Sequence, residues 1–413
     1  MYDPEFAARH RGSPRDFTRE RKLGFARTVL FLMNFLKHAL QYELDAFFAE
    51  LAGGEVPSRE VTKSAFSQAR RKLNPEAFVE LNDLAVAHFY AKAPGVRRWR
   101  DYRLLAVDGT TLRLPDTADV RREFEESPDE VPRARLVELY DVLNGVMLGA
   151  ECSPLYMGER FHAERLVERC VPGDLVLYDR GFPGFYLMAL HRKLGADFCM
   201  RVTTTQFTQT AAFARSGLSE QWVEIAPSGK VRSECRRDDL DASPLPVRLV
   251  RVDLPSGEVE VLMTSLGDAI PIAEFAALYA QRRGIEEAYK AQKCRVELET
   301  FSGKTALAVR QDIHANLLGA NLAALCAAVT QDTVETRTSG RVHRYRVNHA
   351  LAIAKMKRHL VRLLHALDHK QMQVLLWLDW IAQDVEPLRP DRKAPRRNRM
   401  RVPQAIGSHT RCP

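Results

Sequence analysis

The chain has 413 residues, enough for two or three domains with sizeable cores, and its 46% hydrophobic and 28% charged residues are those of a soluble globular protein. Lysine and arginine outnumber aspartate and glutamate 61 to 53, and the pI is near 9.1, which favours a polyanionic partner, nucleic acid before membrane. Seven cysteines with no CxxC pair and no cysteine–histidine spacing exclude a zinc ribbon and point to free thiols in a reduced compartment.

Residues 1–97 read as a helical region. Its start, "MYDPEFAARHRGSPRDF", lacks the apolar segment of a signal peptide, and "TVLFLMNFL" is too short to span a bilayer, so a cytoplasmic protein is expected. "RTVLFLMNFLKHALQYELDAFFAEL" has helical periodicity and stops at Gly53–Gly54. Ser58 is placed to cap the next helix, which ends before Asn74–Pro75. Arg70, Arg71 and Lys72 come late in it, where they suit either the helix dipole or a phosphate.

The pattern then changes. Over residues 98–200, "YRLLAVDGTTLRLP" predicts a short strand ending at Asp108, and two further strands flank Asn144–Gly145, a hairpin-turn signal. "HAERLVERC" is a short helix; "GDLVLYDRGF" is a buried strand ending at Asp179, followed by a helix and the strand "DFCMRVT". Asp116 and Asp119 are expected in a loop and Asp174 in a turn. Together these predict an α/β fold, α+β overall: a mixed sheet with helical cover. Residues 201–266 read as a β-rich insertion, within which Trp222 is expected to pack in a core.

Residues 267–330 contain "LYAQRRGIEEAYKAQK", read as one amphipathic helix. At about 100° per residue, Tyr279, Arg282, Glu286 and Lys293 share one stripe, with Leu278, Ile285 and Tyr289 on an adjacent apolar stripe. Glu287 leaves the stripe. Such a row is either a solvated face with an Arg282–Glu286 pair or part of a site completed elsewhere in the chain. "HANLLGANLAALCAAV" is a helix with polar interruptions. Residues 331–413 are helical, with "ALAIAKMKRHLVRLLHAL" suited to the core or to a dimer contact, and end in the arginine-rich "RPDRKAPRRNRMRVPQ", which can meet nucleic acid.

Three segments in this order, "VDGTTLRL", "PGDLVLYDRGF" and "YAQRRGIEEAYKAQK", resemble the bacterial DDE transposases of the insertion-sequence-four type; "FSQARRKLNPEAF" resembles their lead-in. The resemblance covers roughly residues 58–320 and departs at "RGFPGFY", where Pro183 replaces a more usual small or polar residue. It implies an RNase H-like catalytic core interrupted by a β insertion. In that core Asp108, Asp179 and Glu286 would be the catalytic acids, holding two Mg²⁺ ions ~3.5–4 Å apart, with Mn²⁺ as a substitute. Tyr279, Arg282 and Lys293 would contact phosphate, Arg201 would face DNA, and Trp222 could stack on a flipped base. The implied partners are double-stranded DNA, both element ends and target, and a second copy of the chain in a synaptic complex, in a bacterial, nucleoid-associated setting. The implied activity is cleavage and strand transfer. An inactive DNA-binding descendant and a nuclease that does not join strands are the alternatives.

Overall fold

The computed structural model describes residues 1–53, 59–93, 95–124, 130–254, 257–365 and 370–388. Five helices come first, α1 (Pro4–His10), α2 (Phe25–Met33), α3 (Leu40–Leu51), α4 (Lys63–Arg70) and α5 (Glu76–Lys92). Then follow β1 (Arg103–Arg113), α6 (Ala118–Phe124), β2 (Arg133–Asp141), β3 (Val146–Pro154), α7 (Glu159–Val167), β4 (Asp174–Tyr178), α8 (Phe185–Leu194) and β5 (Asp197–Val202). The next stretch holds α9 (Thr208–Ser216), β6 (Glu220–Ile225), α10 (Gly229–Arg237), β7 (Leu245–Asp253) and β8 (Val259–Thr264). The chain continues through α11 (Phe275–Ala280), α12 (Arg283–Ala291), the long α13 (Ala306–Thr338), β9 (Tyr345–Val347), α14 (His349–His365), α15 (Lys370–Ile381) and β10 (Val385–Pro387).

The chain packs as two units: Met1–Val96 with Leu112–Ala134 and Lys290–Pro413, and Arg97–Thr111 with Arg135–Tyr289. In the second, eight strands form one sheet in the order β3-β2-β1-β4-β5-β8-β7-β6. β1, β4 and β5 run parallel, and β8 returns antiparallel to β5. All five residues of β4, "DLVLY", are buried, as a central strand paired on both edges requires. This is the expected α/β fold with a mixed sheet. Strands β8, β7 and β6, which fall in the stretch expected to be an insertion, continue that same sheet, and two helices, α9 and α10, accompany them. Asp174 is the first residue of β4, fully buried and bidentate with Arg103 at 2.7 and 2.6 Å, where a turn was expected.

Tyr178 and His191, both fully buried, share a 2.7 Å hydrogen bond beneath the sheet. Burial pushes the His191 imidazole down to about 3. Since the unfolded chain protonates near 6.5 and the folded one resists, His191 contributes stability above about pH 6.5 that is lost as pH falls toward 3, at up to ~1.4 kcal/mol per pH unit. Urea midpoints measured between pH 7 and 4 are expected to fall with pH, and to fall less steeply in His191→Asn.

In the first unit α13 is the central helix. Its most apolar stretch would suit a membrane by length and composition, but 67% of it is buried inside the protein. Gly319 is required there because a β-carbon would stand 2.6 Å from the Phe35 ring. α14 packs on this core through Ala352, Met356, Leu360 and Val361, which places it inside the fold. The helix cap expected at Ser58 lies outside the described residues; α4 is capped by Thr62, whose hydroxyl accepts the Ala65 N–H. Arg70 is turned inward, neither to solvent nor to the surface: it is 5% exposed and donates to Gln311, Ser302, the Ala308 carbonyl and Asp312. Arg71 and Lys72 remain at the surface of the same turn, Arg71 donating to the Ser67 carbonyl. Asp119 lies in the first turn of α6, not in a loop. The arginine-rich tail falls outside the described residues.

Candidate active site

Asp108 lies in the middle of β1, an eleven-residue strand, and not at its end as expected. Pairing with β4 stops at Val107↔Tyr178, so Asp108 and Asp179 occupy the next position on two neighbouring parallel strands. Gly109 continues the strand, and its missing side chain leaves room for Glu159, whose carboxyl carbon stands 2.7 Å from where a β-carbon would be. Each aspartate accepts the N–H of the residue after it, Gly109 at 2.9 Å and Arg180 at 2.7 Å.

The predicted single helix is broken in three. Tyr279 is in α11; Arg282 lies in a tighter join, where Arg282 N–H donates to the Tyr279 carbonyl; Glu286 is in α12. Lys293 falls in a π-helical turn, Gln292–Val296, within the other unit. Just after the break comes Gly284, in the first turn of α12, where a β-carbon would come within 3.2 Å of Val142. The apolar stripe survives it, for Leu278, Ile285 and Tyr289 are buried.

Arg282 joins the carboxylates. Its guanidinium donates to Asp108 Oδ2 at 3.3 Å and to Glu286 Oε1. Burial works against its charge, yet Tyr279, Asp108, Asp179 and Glu286 together hold it above the ordinary arginine value. One cation thus bridges the first and third acids. Burial pushes the Asp108 carboxyl up, and Glu286 and Glu159 add to this against the pull of Arg282. At Asp179 burial also works upward, but the Arg180 N–H, Arg201 and Arg282 outweigh it and the carboxyl falls below its usual value.

Arg201, expected to face DNA, bonds Asp179 at 2.9 Å and reaches Glu260 on β8. The Tyr279 hydroxyl donates to the Tyr178 carbonyl at 3.2 Å, which ties α11 to the end of β4. Burial lowers the Lys293 ammonium, against the pull of Glu299. Trp222 is 45% exposed on the edge strand β6, its indole N–H donating to Asp268 at 2.9 Å, so the expected core packing does not occur. Glu159, Glu260 and Tyr289 were not singled out as site residues. Only the helical spacing of Tyr289 from Glu286 was visible in the pattern.

Among the described residues no three acidic, histidine or cysteine side chains are gathered closely enough to hold a metal ion. The donor chemistry nevertheless fits a hard divalent cation, because the carboxylate oxygens that would bind it already hold cationic guanidinium groups. Carboxylates on adjoining strands and a helix, interleaved with arginine, suit phosphodiester chemistry. Residues 99–322, more than half of the chain, match the family model described as the transposase DDE domain, and the chain belongs to that family. It is 26% identical over 271 residues to the transposase InsG for insertion sequence element IS4 of Escherichia coli (strain K12), covering 63% of this chain and 60% of that relative. The piggyBac transposase synaptic complex with hairpin DNA, solved by cryo-electron microscopy, aligns over 92% of this chain and 81% of its own with a TM-score of 0.42 and 10% identity.

Proposed function

We propose that the chain is a transposase that cuts DNA at the ends of an insertion sequence and joins them to target DNA. The observation that carries this is the pairing of carboxylates with guanidinium groups: Arg282 bonds both Asp108 and Glu286, and Arg201 bonds Asp179. Those three carboxylates would hold two Mg²⁺ ions, or Mn²⁺, which when bound supply Lewis-acid activation of the attacking and leaving oxygens of an in-line displacement. Arg282 and Arg201 would then direct their charge to the phosphate, where negative charge accumulates as the bond to the attacking oxygen forms. Tyr279, held by the Tyr178 carbonyl, keeps α11 against the strand that carries Asp179. In cleavage, a water oxygen bonds to phosphorus as the bond to the 3′-oxygen breaks, leaving a 3′-hydroxyl. In joining, that hydroxyl oxygen bonds to a target phosphorus as the target's bond from phosphorus to its own 3′-oxygen breaks, and the target strand leaves with a 3′-hydroxyl. Lys293 is assigned to phosphate contact, the helical residues 1–97 to recognition of the element ends, and a homodimer to their synapsis. Residues 98–200 and 267–330 would form the catalytic core, with 201–266 inserted and 331–413 as a helical appendage.

The test uses DNA from either side of the coding region, where inverted repeats are expected. Mg²⁺-dependent nicking, followed by transfer of a pre-cut 3′-hydroxyl end into plasmid DNA, is the expected result. Binding without cleavage would identify an inactive DNA-binding protein, and cleavage without transfer a nuclease.

A further inference from the structure

We infer that Tyr289 is a positioning residue that fixes Glu286 relative to Asp108, an inference that rests on the reading of those two carboxylates as one site. Tyr289 follows Glu286 by three residues on α12, so the two side chains leave the helix within roughly 60° of each other. Its ring is buried, 6% exposed. The phenol donates to the main-chain carbonyl of Asp108 at 2.6 Å and accepts the main-chain N–H of Glu138 at 3.0 Å. Asp108 is on β1 and Glu138 on β2, neighbours in the sheet. The phenol oxygen therefore sits between two strands, meeting backbone groups that must find partners when buried.

One oxygen thereby fastens the helix bearing the third carboxylate to the peptide unit bearing the first. The Arg282 bonds to Asp108 and Glu286 use the same carboxylate oxygens that a divalent cation needs. The Tyr289 bonds use main-chain atoms only, so they persist whether those carboxylates hold arginine or metal. This separates Tyr289 from the arginine: it sets the spacing and takes no part in the chemistry.

The experiment titrates the full-length protein with Mn²⁺ alone, followed by electron paramagnetic resonance of the free ion, beside cleavage rates. Tyr289→Phe is expected to raise the half-saturating Mn²⁺ concentration by about tenfold or more, and to slow cleavage by roughly 10- to 100-fold. Leu318→Ala, a core change in the other unit, serves as a stability control and is expected to leave the Mn²⁺ midpoint within about twofold of the wild type, well short of that tenfold effect. A folded Tyr289→Phe protein with an unchanged midpoint overturns the inference, as does an equal shift in the control. If Asp108→Asn weakens Mn²⁺ binding while Tyr289→Phe does not, the site reading stands and only the positioning role falls. If Asp108→Asn also changes nothing, both fall. Should the phenylalanine variant not fold, Tyr289→Met, which fills the space without a hydroxyl, is titrated in its place and judged by the same limits.

Discussion

Asp108→Asn is expected to lower DNA cleavage and joining by about a thousandfold or more, equivalent to roughly 4 kcal/mol of transition-state stabilisation. Glu286→Gln and Asp179→Asn should do the same, because an amide keeps the shape but presents a weak neutral ligand in place of a carboxylate. The two aspartates should part company in stability. Burial holds the Asp108 carboxyl above its usual range, so its ionised form opposes folding at neutral pH. The stability it contributes is present in acid and lost as pH rises, and the neutral amide should leave the metal-free melting temperature unchanged or raised. Asp179 has the opposite sign. Its carboxyl is lowered on balance by the Arg180 N–H and Arg201, so its ionised form supports folding above the usual carboxylate range and that support fades in acid. Asp179→Asn should therefore melt lower at pH 7 and converge on the wild type as the solution is acidified. Activity retained within tenfold in any of the three variants would contradict their assigned role.

Arg70→Ala is expected to cost ~3–5 kcal/mol of stability, among the largest losses any single replacement in the first unit should produce. The side chains of Arg70 and Asp312 are 6% and 4% exposed, and their 3.0 Å ion pair joins α4 to α13. Asp312 also accepts from Ser302 N–H at 2.6 Å and from the Ser302 hydroxyl at 2.7 Å. The guanidinium further donates to Gln311, whose amide returns bonds to the Arg70 and Leu73 carbonyls. Alanine would leave the Asp312 charge buried without its cation. Replacing both partners together, Arg70→Met with Asp312→Leu, removes both charges and should be much milder than the single change. Urea unfolding followed by circular dichroism distinguishes the two; a loss below about 1 kcal/mol for Arg70→Ala would show that the network has little net worth.

The sequence made the sheet legible where hydrophobic runs are unbroken. "LLAV" and "DLVLY" are buried strands, paired with each other, and each leads directly into an aspartate. The length of β1 was hidden because Gly-Thr-Thr resembles a turn; the glycine at 109 is there for Glu159, far along the chain, and a local pattern carries no trace of that. The row Tyr279, Arg282, Glu286, Lys293 was found by helical spacing although no single helix spans it, because two turns of regular helix on either side of a short join preserve most of the phase. Arg70 misled for a different reason: its acid partner is 242 residues away, and a basic residue at a helix end looks the same in sequence whether it meets solvent, phosphate or a buried carboxylate. Trp222 misled because strand order was not readable. Only the sheet order puts β6 at the edge, where a large aromatic can remain in solvent.

The chain passes from one packing unit to the other at 96/97, 111/112, 134/135 and 289/290. During synthesis, α2, α5 and α6 leave the ribosome long before α13, the helix on which they pack, has been translated. The sheet-bearing unit, whose last segment ends at Tyr289, is complete first even though its chain starts second. The earliest-made apolar helices must therefore wait with their faces uncovered, a condition that invites aggregation or chaperone capture in nascent chains. For the same reason, cutting the gene at residue 97 would separate α2 and α4 from their central helix and yield two sticky fragments instead of two working halves.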